Sequence, residues 1–372
     1  VAICDQLEDP KTVKGIVKRG VTDMLTPGIA TNDKLVEHKN NNFLAAIYVE
    51  NEKGGVAFLD ITTGEFLIAE GNVEYLDKLL QSLQPAEILF PKNYQANFKE
   101  IFGTSFYTYG LDSWIFDAPF ATELLLKQFQ TQNLKGFGIE DQKLGIIAAG
   151  AILHYLKETE HPHLQHIHKI QRMVRDEILW MDKFTIRNLE LYNSNNFNAV
   201  TLLNVIDKTS SPMGGRMLKR WLALPLKNVE KIKSRHEVVQ YLLDNETTLL
   251  KIQNHIKQVG DIERLISKVA TAKVNPREVI QLKNSLEAIV PIKSLASNCN
   301  NEALKVIGDN IQSCDVLREK IKETLNEDAP VNILKGKTIS SDFSSELKEL
   351  RELAFSGKDY LDKMLERESE RT

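Results

Sequence analysis

Apolar positions along this chain recur at two different periods, and the change from one to the other divides it. Near the start, alternating apolar and polar residues mark strands: one over residues 1–4, VAIC, then a second alternating segment that ends at Pro27-Gly28 after the turn-rich Asp9-Pro10. Residues 31–42 are polar and Asn-rich, a linker by composition. Three strand-like runs follow at 43–49, 55–61 and 65–69, and the Lys53-Gly54-Gly55 and Thr63-Gly64 turns between them predict antiparallel hairpins. A helix is expected at 73–83, a strand at 87–90, a short helix at 94–102, a strand at 105–108 and a helix at 118–129. Three hairpin strands followed by alternating helix and strand predict a mixed sheet with helices on its faces.

From about Asp141 the period changes to three and four residues. Residues 144–156 form an apolar helix whose Gly145 and Gly150 suit close packing inside a bundle. Two short strands are expected at 166–173 and 177–181, then helices at 185–194, 229–243, 248–259, 262–270 and 276–289. A last helix starts at Phe343, with Phe343, Leu347, Leu350, Leu353 and Ala354 on one stripe. The fold class is therefore α/β followed by all-α, with residues 131–140 as the joint, where Gly136 and Gly138 flank Phe137.

Residues 201–245 read as a helix hairpin. Met213, Met217, Leu218, Trp221 and Leu222 recur at helical steps as one apolar stripe, and Pro225 stops that helix because its ring cannot continue it.

With 372 residues, 42% hydrophobic and 26% charged, the chain is expected to fold as two or more globular domains. The longest nearly apolar run, 144–153, is about half a bilayer span, so no transmembrane helix is expected, and no signal peptide opens the chain. Cys4, Cys299 and Cys314 show no paired spacing, which points to a reduced cytosolic protein without structural zinc. The net charge of −4 gives no global attraction to nucleic acid, but residues 207–235 carry eight Lys or Arg against Asp207 and Glu230. That excess reads as a solvated helix face before a phosphate track. Val1 is not an initiator Met, and the final residues are helical without a stop, so an internal fragment of a longer protein is expected.

The helix of the hairpin carries Met213, Gly214, Arg216, Leu218, Arg220, Trp221 and Leu222, followed by the turn residues Pro225 and Leu226. This resembles the core of the MutS family of DNA mismatch-repair proteins, whose pattern is Met-Gly-x-Arg-x-Leu-x-Arg-Trp-Leu and then x-Pro-Leu. VAICDQLEDP resembles the end of that family's mismatch-reading domain, with Asp5 in place of the usual Glu. GVAFLDITTGEF and LQPAEILFP resemble its connector domain, which has an RNase H-like fold, and DKFTIRNLEL, GDIERLISKVATAKVNPRE and FSSELKELRELAFSGKDYL resemble its core and levers, in the family's order. The resemblance implies the end of the mismatch-reading domain at 1–30, a linker at 31–42, the connector at 43–140, and the core with the start of the levers at 141–372. Met213, Gly214, Arg216, Arg220, Trp221 and Pro225 would then have structural roles in the core hairpin, with Arg187 and Glu190 on the neighbouring helix.

By the same resemblance the parent protein is an ATP-driven clamp that recognises mismatched duplex DNA, uses ATP and Mg in a domain outside this chain, forms homodimers and recruits a MutL-type protein. The fragment itself is expected to be mainly monomeric and cytoplasmic, to hold no cofactor, and to offer a MutL docking surface on the connector. Which of its residues touch DNA is unassigned.

Four motifs invite chemistry. Lys335-Gly336-Lys337-Thr338 imitates the end of a phosphate loop, yet the required first glycine is Val331. His161, His163, His166 and His168 suggest a metal, but Pro162 breaks their spacing and a polar loop running into an exposed strand face is the expected reading. Phe98-Lys99-Glu100 matches the family's Phe-x-Glu mismatch reader but belongs to a connector helix. Asp60 raises the alternative of an RNase H-like nuclease, against which the first strand offers no Asp. A helical interaction scaffold with no repair role is the other alternative.

Overall fold

Residues 54–62 are buried without interruption, which a strand can satisfy only when both faces of its sheet are covered. In the computed structural model, which describes residues 1–8, 15–30, 37–161, 163–192, 194, 196 and 199–369, this strand lies inside a six-stranded sheet. Strands β1 (Ala2–Gln6) and β2 (Arg19–Met24) form a separate antiparallel hairpin. The large sheet begins with the antiparallel meander β3 (Leu44–Glu50), β4 (Lys53–Asp60) and β5 (Glu65–Asn72). Then come α1 (Val73–Leu83), β6 (Glu87–Pro91), α2 (Gln95–Phe102), β7 (Thr108–Leu111), α3 (Ala118–Phe129), α4 (Lys143–Glu158) and β8 (Gln171–Arg172). The strand order is β7-β6-β3-β4-β5-β8, with β6 parallel to β3, β7 to β6, and β8 to β5.

Alternation sorts the strand residues onto two cores. Leu44, Ala46, Ala57, Leu59, Phe66 and Ile68 share one face with α3 and α4, while Ala45, Ile47, Val56, Phe58, Leu67 and Ala69 face α1 and α2 on the other. Each large apolar side chain so hidden contributes about 1.5–3 kcal/mol, so two apolar layers rather than ion pairs hold this domain.

Helix α4 is the apolar helix expected inside a bundle, and it lies instead on the sheet. A β-carbon at Gly55 would fall 2.0 Å from the Leu144 carbonyl carbon, and one at Gly150 would fall 2.4 Å from Ala121 Cβ. The glycines thus let α4 touch β4 and α3 backbone to backbone. The supposed joint at 131–140 belongs to the same core, since Leu134 and Ile139 are buried in it. Packing therefore carries the sheet domain past the boundary expected at residue 140.

The next expectations also shift. Residues 166–173 make only the two-residue strand β8, because Ile167 and Ile170 turn into the core and Gln128 Nε2 donates to the carbonyls of Leu164 and Ile167 at 2.8 Å each. The strand expected at 177–181 reduces to one bridge between Ile178 and Leu226, because its partner is a turn. The remaining helices are α5 (Lys183–Asn188), α6 (Leu202–Ile206), α7 (Pro212–Ala223), α8 (Val229–Asp244), α9 (Glu246–Ile256) and α10 (Ile262–Ala270). Ser211 caps α7 through Gly214 N at 3.2 Å, with Pro212 in its first turn.

Contacts divide the chain into two units, Val1–Asp244 with Asp261–Lys273, and Asn245–Gly260 with Val274–Thr372. Taken by itself, the second unit contains α9, α11 (Pro276–Ser297), α12 (Glu302–Asn310), α13 (Asp315–Thr324) and α14 (Ser345–Ser369). Asn275 and Glu278 form a capping box on α11, which packs against α9, α12 and α13. Helix α11 runs on past the expected end at 289 and through Pro291, and α12 and α13 lie where no helix was anticipated.

Candidate functional site

The polar chemistry of the first unit concentrates where α7 and α10 meet residues 37–42, the last part of the expected linker. Arg216 on α7 is 4% exposed and both of its Nη atoms are engaged twice. Its Nη1 donates to Asp261 Oδ2 at 2.7 Å and to the His38 carbonyl at 2.7 Å, and its Nη2 to Asp261 Oδ1 at 2.7 Å and Glu263 Oε2 at 2.6 Å. Burial works against this charge, but Asp261 and Glu263 outweigh it and raise the pKa of Arg216. Arg264, one turn into α10, donates through Nη2 to the carbonyls of Glu37 at 3.0 Å and Asn40 at 2.9 Å. Lys219 Nζ reaches Asn40 Oδ1 at 2.9 Å, and burial pushes its pKa down.

Two further contacts tie this knot to its surroundings. Lys39 Nζ pairs with Asp207 at 3.0 Å; burial opposes the Asp207 charge, yet hydrogen bonds from Thr209 and Lys39 hold its carboxyl below the usual range. Arg220 on α7 pairs with Glu65 at the first residue of β5. A third link involves no charge: His166 Nε2 lies 2.8 Å from the Ile61 carbonyl and 3.3 Å from Ser267 Oγ on α10. Linker, sheet and core helices therefore converge on one polar cluster.

The six hairpin residues fall into distinct places. Arg216 and Arg220 belong to the knot, Gly214 N donates to the Ser211 cap of α7, and Pro225 supports the turn by accepting from Leu179 N at 2.8 Å. Met213 is half-buried and Trp221 is 43% exposed beneath the Arg235 guanidinium, 3.6 Å from its ring. The expected apolar stripe is thus not a core seam. The buried residues of α7 are Gly215, Arg216 and Ala223. On the neighbouring segment Glu190 Oε1 accepts from Ser194 Oγ at 2.6 Å. Sequence reasoning named neither Asp261 nor Glu65. The signal for Asp261 was the Asp-Ile-Glu-Arg start of α10, where it doubles as the N-cap by accepting from Arg264 N at 3.4 Å.

The motifs that suggested chemistry are placed as follows. Asp60 is buried and its carboxylate accepts from Asn41 Nδ2, Asn42 N, Thr62 N and Thr62 Oγ1 at 2.9, 3.2, 2.9 and 2.7 Å, which fixes the mouth of the β4–β5 hairpin. Phe98 is buried on α2, stacked 4.9 Å from Phe90, so its ring is closed to a base. His161 and His166 are buried and His168 accompanies them in a loop, with no exposed strand face; Pro162 lies outside the described residues. Among the described residues no group of three His, Cys, Asp or Glu is arranged to hold a metal. Lys337 and Thr338 lead into a bridge between Leu325 and Ile339, not into a helix N-terminus as a phosphate loop does.

Comparison with known families places these parts. Residues 1–34 match the family model described as MutS domain I, 42–168 match MutS domain II, and 184–370 match MutS domain III. The chain belongs to the MutS family. It is 60% identical over its 372 residues to the DNA mismatch repair protein MutS of Christiangramia forsetii, 59% to that of Flavobacterium johnsoniae and 48% to that of Parabacteroides distasonis. In each case it spans 43% of the relative's length. The MutS domain II match ends at 168, in line with α4 lying on the sheet. On this division the knot takes His38 and Asn40 from between domains I and II, Glu65 from domain II, and Arg216, Arg220, Asp261 and Arg264 from domain III.

Proposed function

We propose that this chain is the connecting and lever part of a DNA mismatch-recognition ATPase acting in DNA mismatch repair, and that the knot couples its mismatch-reading, connector and lever domains. The observation that carries this is Arg216, whose single guanidinium holds the residue-38 carbonyl and the N-terminus of α10 together, while the next turn of α7 holds Glu65 of the sheet. A rigid-body movement of the core helices would be passed to both the linker and the sheet domain. Mismatched duplex DNA, a MutL-type protein docking on the sheet domain, and a second copy of the full-length protein are the partners this reading implies. ATP and Mg would act in a domain outside these residues, and the protein would work in the cytoplasm on the nucleoid.

The test uses the full-length protein. Glu65→Ala and Arg220→Ala, singly and together, are expected to leave basal ATP hydrolysis within about twofold and to cut its stimulation by a G·T heteroduplex about fivefold or more. Unchanged stimulation in all three variants would remove the coupling role.

A further inference from the structure

A groove of about 1070 Å³ runs beside the knot, between the start of β5 with residues 165–174 on one side and α7, α10 and Arg235 of α8 on the other. Its apolar lining is open to solvent: Met217, Trp221, Ile266 and Val269 are 55, 43, 48 and 47% exposed. Met213, Met217 and Trp221 recur every four residues on α7, and Ile266 and Val269 lie three apart on α10, so two helical stripes face one channel. Contiguous exposed apolar surface of this kind marks an interaction site, and methionines let such a surface adapt to its occupant.

The charges in the groove choose the occupant. Its carboxylates are already neutralised, Glu65 by Arg220, Glu263 by Arg216 and Glu177 by Lys231, and Arg172 is paired with Asp141. Lys169 and Arg235 also line the groove, and among the described residues neither has a carboxylate within ion-pair distance. A single-stranded nucleic acid would want several stacking rings. The exposed rings in the described lining are Trp221 and His168, and Arg235 already covers Trp221, which leaves His168 alone as a stacking platform.

We infer that this groove is a docking site for an acidic amphipathic segment of a partner protein, its apolar side chains against α7 and α10 and its carboxylates on Lys169 and Arg235. This does not depend on the coupling role proposed above, and either can fail alone.

The probe is a fluorescein-labelled peptide of about 18 residues, Leu and Phe at helical spacing with Glu between them, compared with a peptide of the same apolar pattern carrying Lys. By fluorescence anisotropy on the full-length protein, the acidic peptide is expected to bind about tenfold or more tightly than the basic one. Lys169→Glu with Arg235→Glu should abolish or reverse that preference, and Met217→Gln with Ile266→Gln should weaken the acidic peptide by about tenfold. Lys169→Glu alone, at an exposed position, carries the charge test should the double variant fail to fold. Equal affinity for the two peptides, insensitivity to the charge variants, displacement by oligo-dT, or binding to the 372-residue chain but not to the full-length protein would each overturn the proposal.

Discussion

Arg216 shows at the scale of a residue why a charge can be buried without being a catalyst. Its partner Asp261 is nearly as enclosed, so removing the guanidinium alone would strand a carboxylate. Breaking one side of such a buried pair costs about 3–5 kcal/mol, whereas replacing both sides by apolar groups is often close to neutral. Arg216→Met is therefore expected to lower unfolding free energy by about 3 kcal/mol or more, and Arg216→Met with Asp261→Leu to recover most of it, as read by urea titration. Equal losses in the single and double variants would mean that the pair itself, not the stranded charge, sets the cost. His166 gives a second expectation. Its pKa is lowered from the ordinary 6.5, chiefly by burial, which outweighs the Ile61 carbonyl and Asp60. Its Nδ1 is buried with no hydrogen-bond partner among the described residues, so the folded protein resists a second ring proton. The unfolded chain takes up that proton first as the pH falls, so this stability is fully present above pH 6.5 and declines as the pH drops from 6.5 toward the lowered folded value. His166→Gln should show a smaller fall in Tm over that interval than the parent; an identical fall would mean that His166 does not titrate on unfolding.

Among the elements, α4 and α7 both form helices where the periodicity predicts them but lie in surroundings that it does not reveal. Period alone shows that 144–156 is a helix buried all round, but not whether a sheet or other helices cover it. The deciding contacts are glycines 55 and 150, whose meaning appears only when the facing backbone is known. The apolar stripe of α7 holds the exposed Met217 and Trp221, whereas its buried residues are Gly215, Arg216 and Ala223, and Arg216 is hidden with Asp261, which arrives from 45 residues away. The antiparallel meander and the two-faced sheet were legible, since alternation and turn residues are local, but the places of β6, β7 and β8 in the sheet were not, since their pairings are long-range. The knot was not, since the contacts that join linker, sheet and helices in it are remote in sequence. Two outcomes follow at this scale. Gly150→Ala would gain about 1 kcal/mol in helix propensity but force Ala121 backbone to move at an overpacking cost of about 1–3 kcal/mol, so a net loss of stability is expected in urea unfolding. Limited proteolysis should not cut first at residues 134–139, because Leu134 and Ile139 are anchored in the sheet core; an early fragment ending there would contradict that packing.

For the whole chain, the run of cations at 207–235 looked like a local exception to a net charge of −4, and the structure accounts for much of it internally. Of the eight, Arg216 serves Asp261 and Glu263, Lys219 serves Asn40, Arg220 serves Glu65 and Lys231 serves Glu177. That leaves Lys208, Lys227, Lys233 and Arg235 as candidates for phosphate. Each phosphate neutralised on duplex DNA contributes about −0.9 to the slope of log affinity against log salt, so four set a limit near −3.6. Phe98, the only ring in a Phe-x-Glu context, is closed to a base as well, because it is committed to the stack between Phe90 and Phe102. The 372-residue chain is therefore expected to bind DNA weakly, with a slope no steeper than about −4 and no preference for a G·T mismatch over homoduplex. Fluorescence anisotropy across about 50–200 mM salt measures both quantities. A slope near −6 would mean that cations beyond these four, from the knot or from outside the run such as Lys169, also meet phosphate. A tenfold mismatch preference would require a base-reading ring other than Phe98.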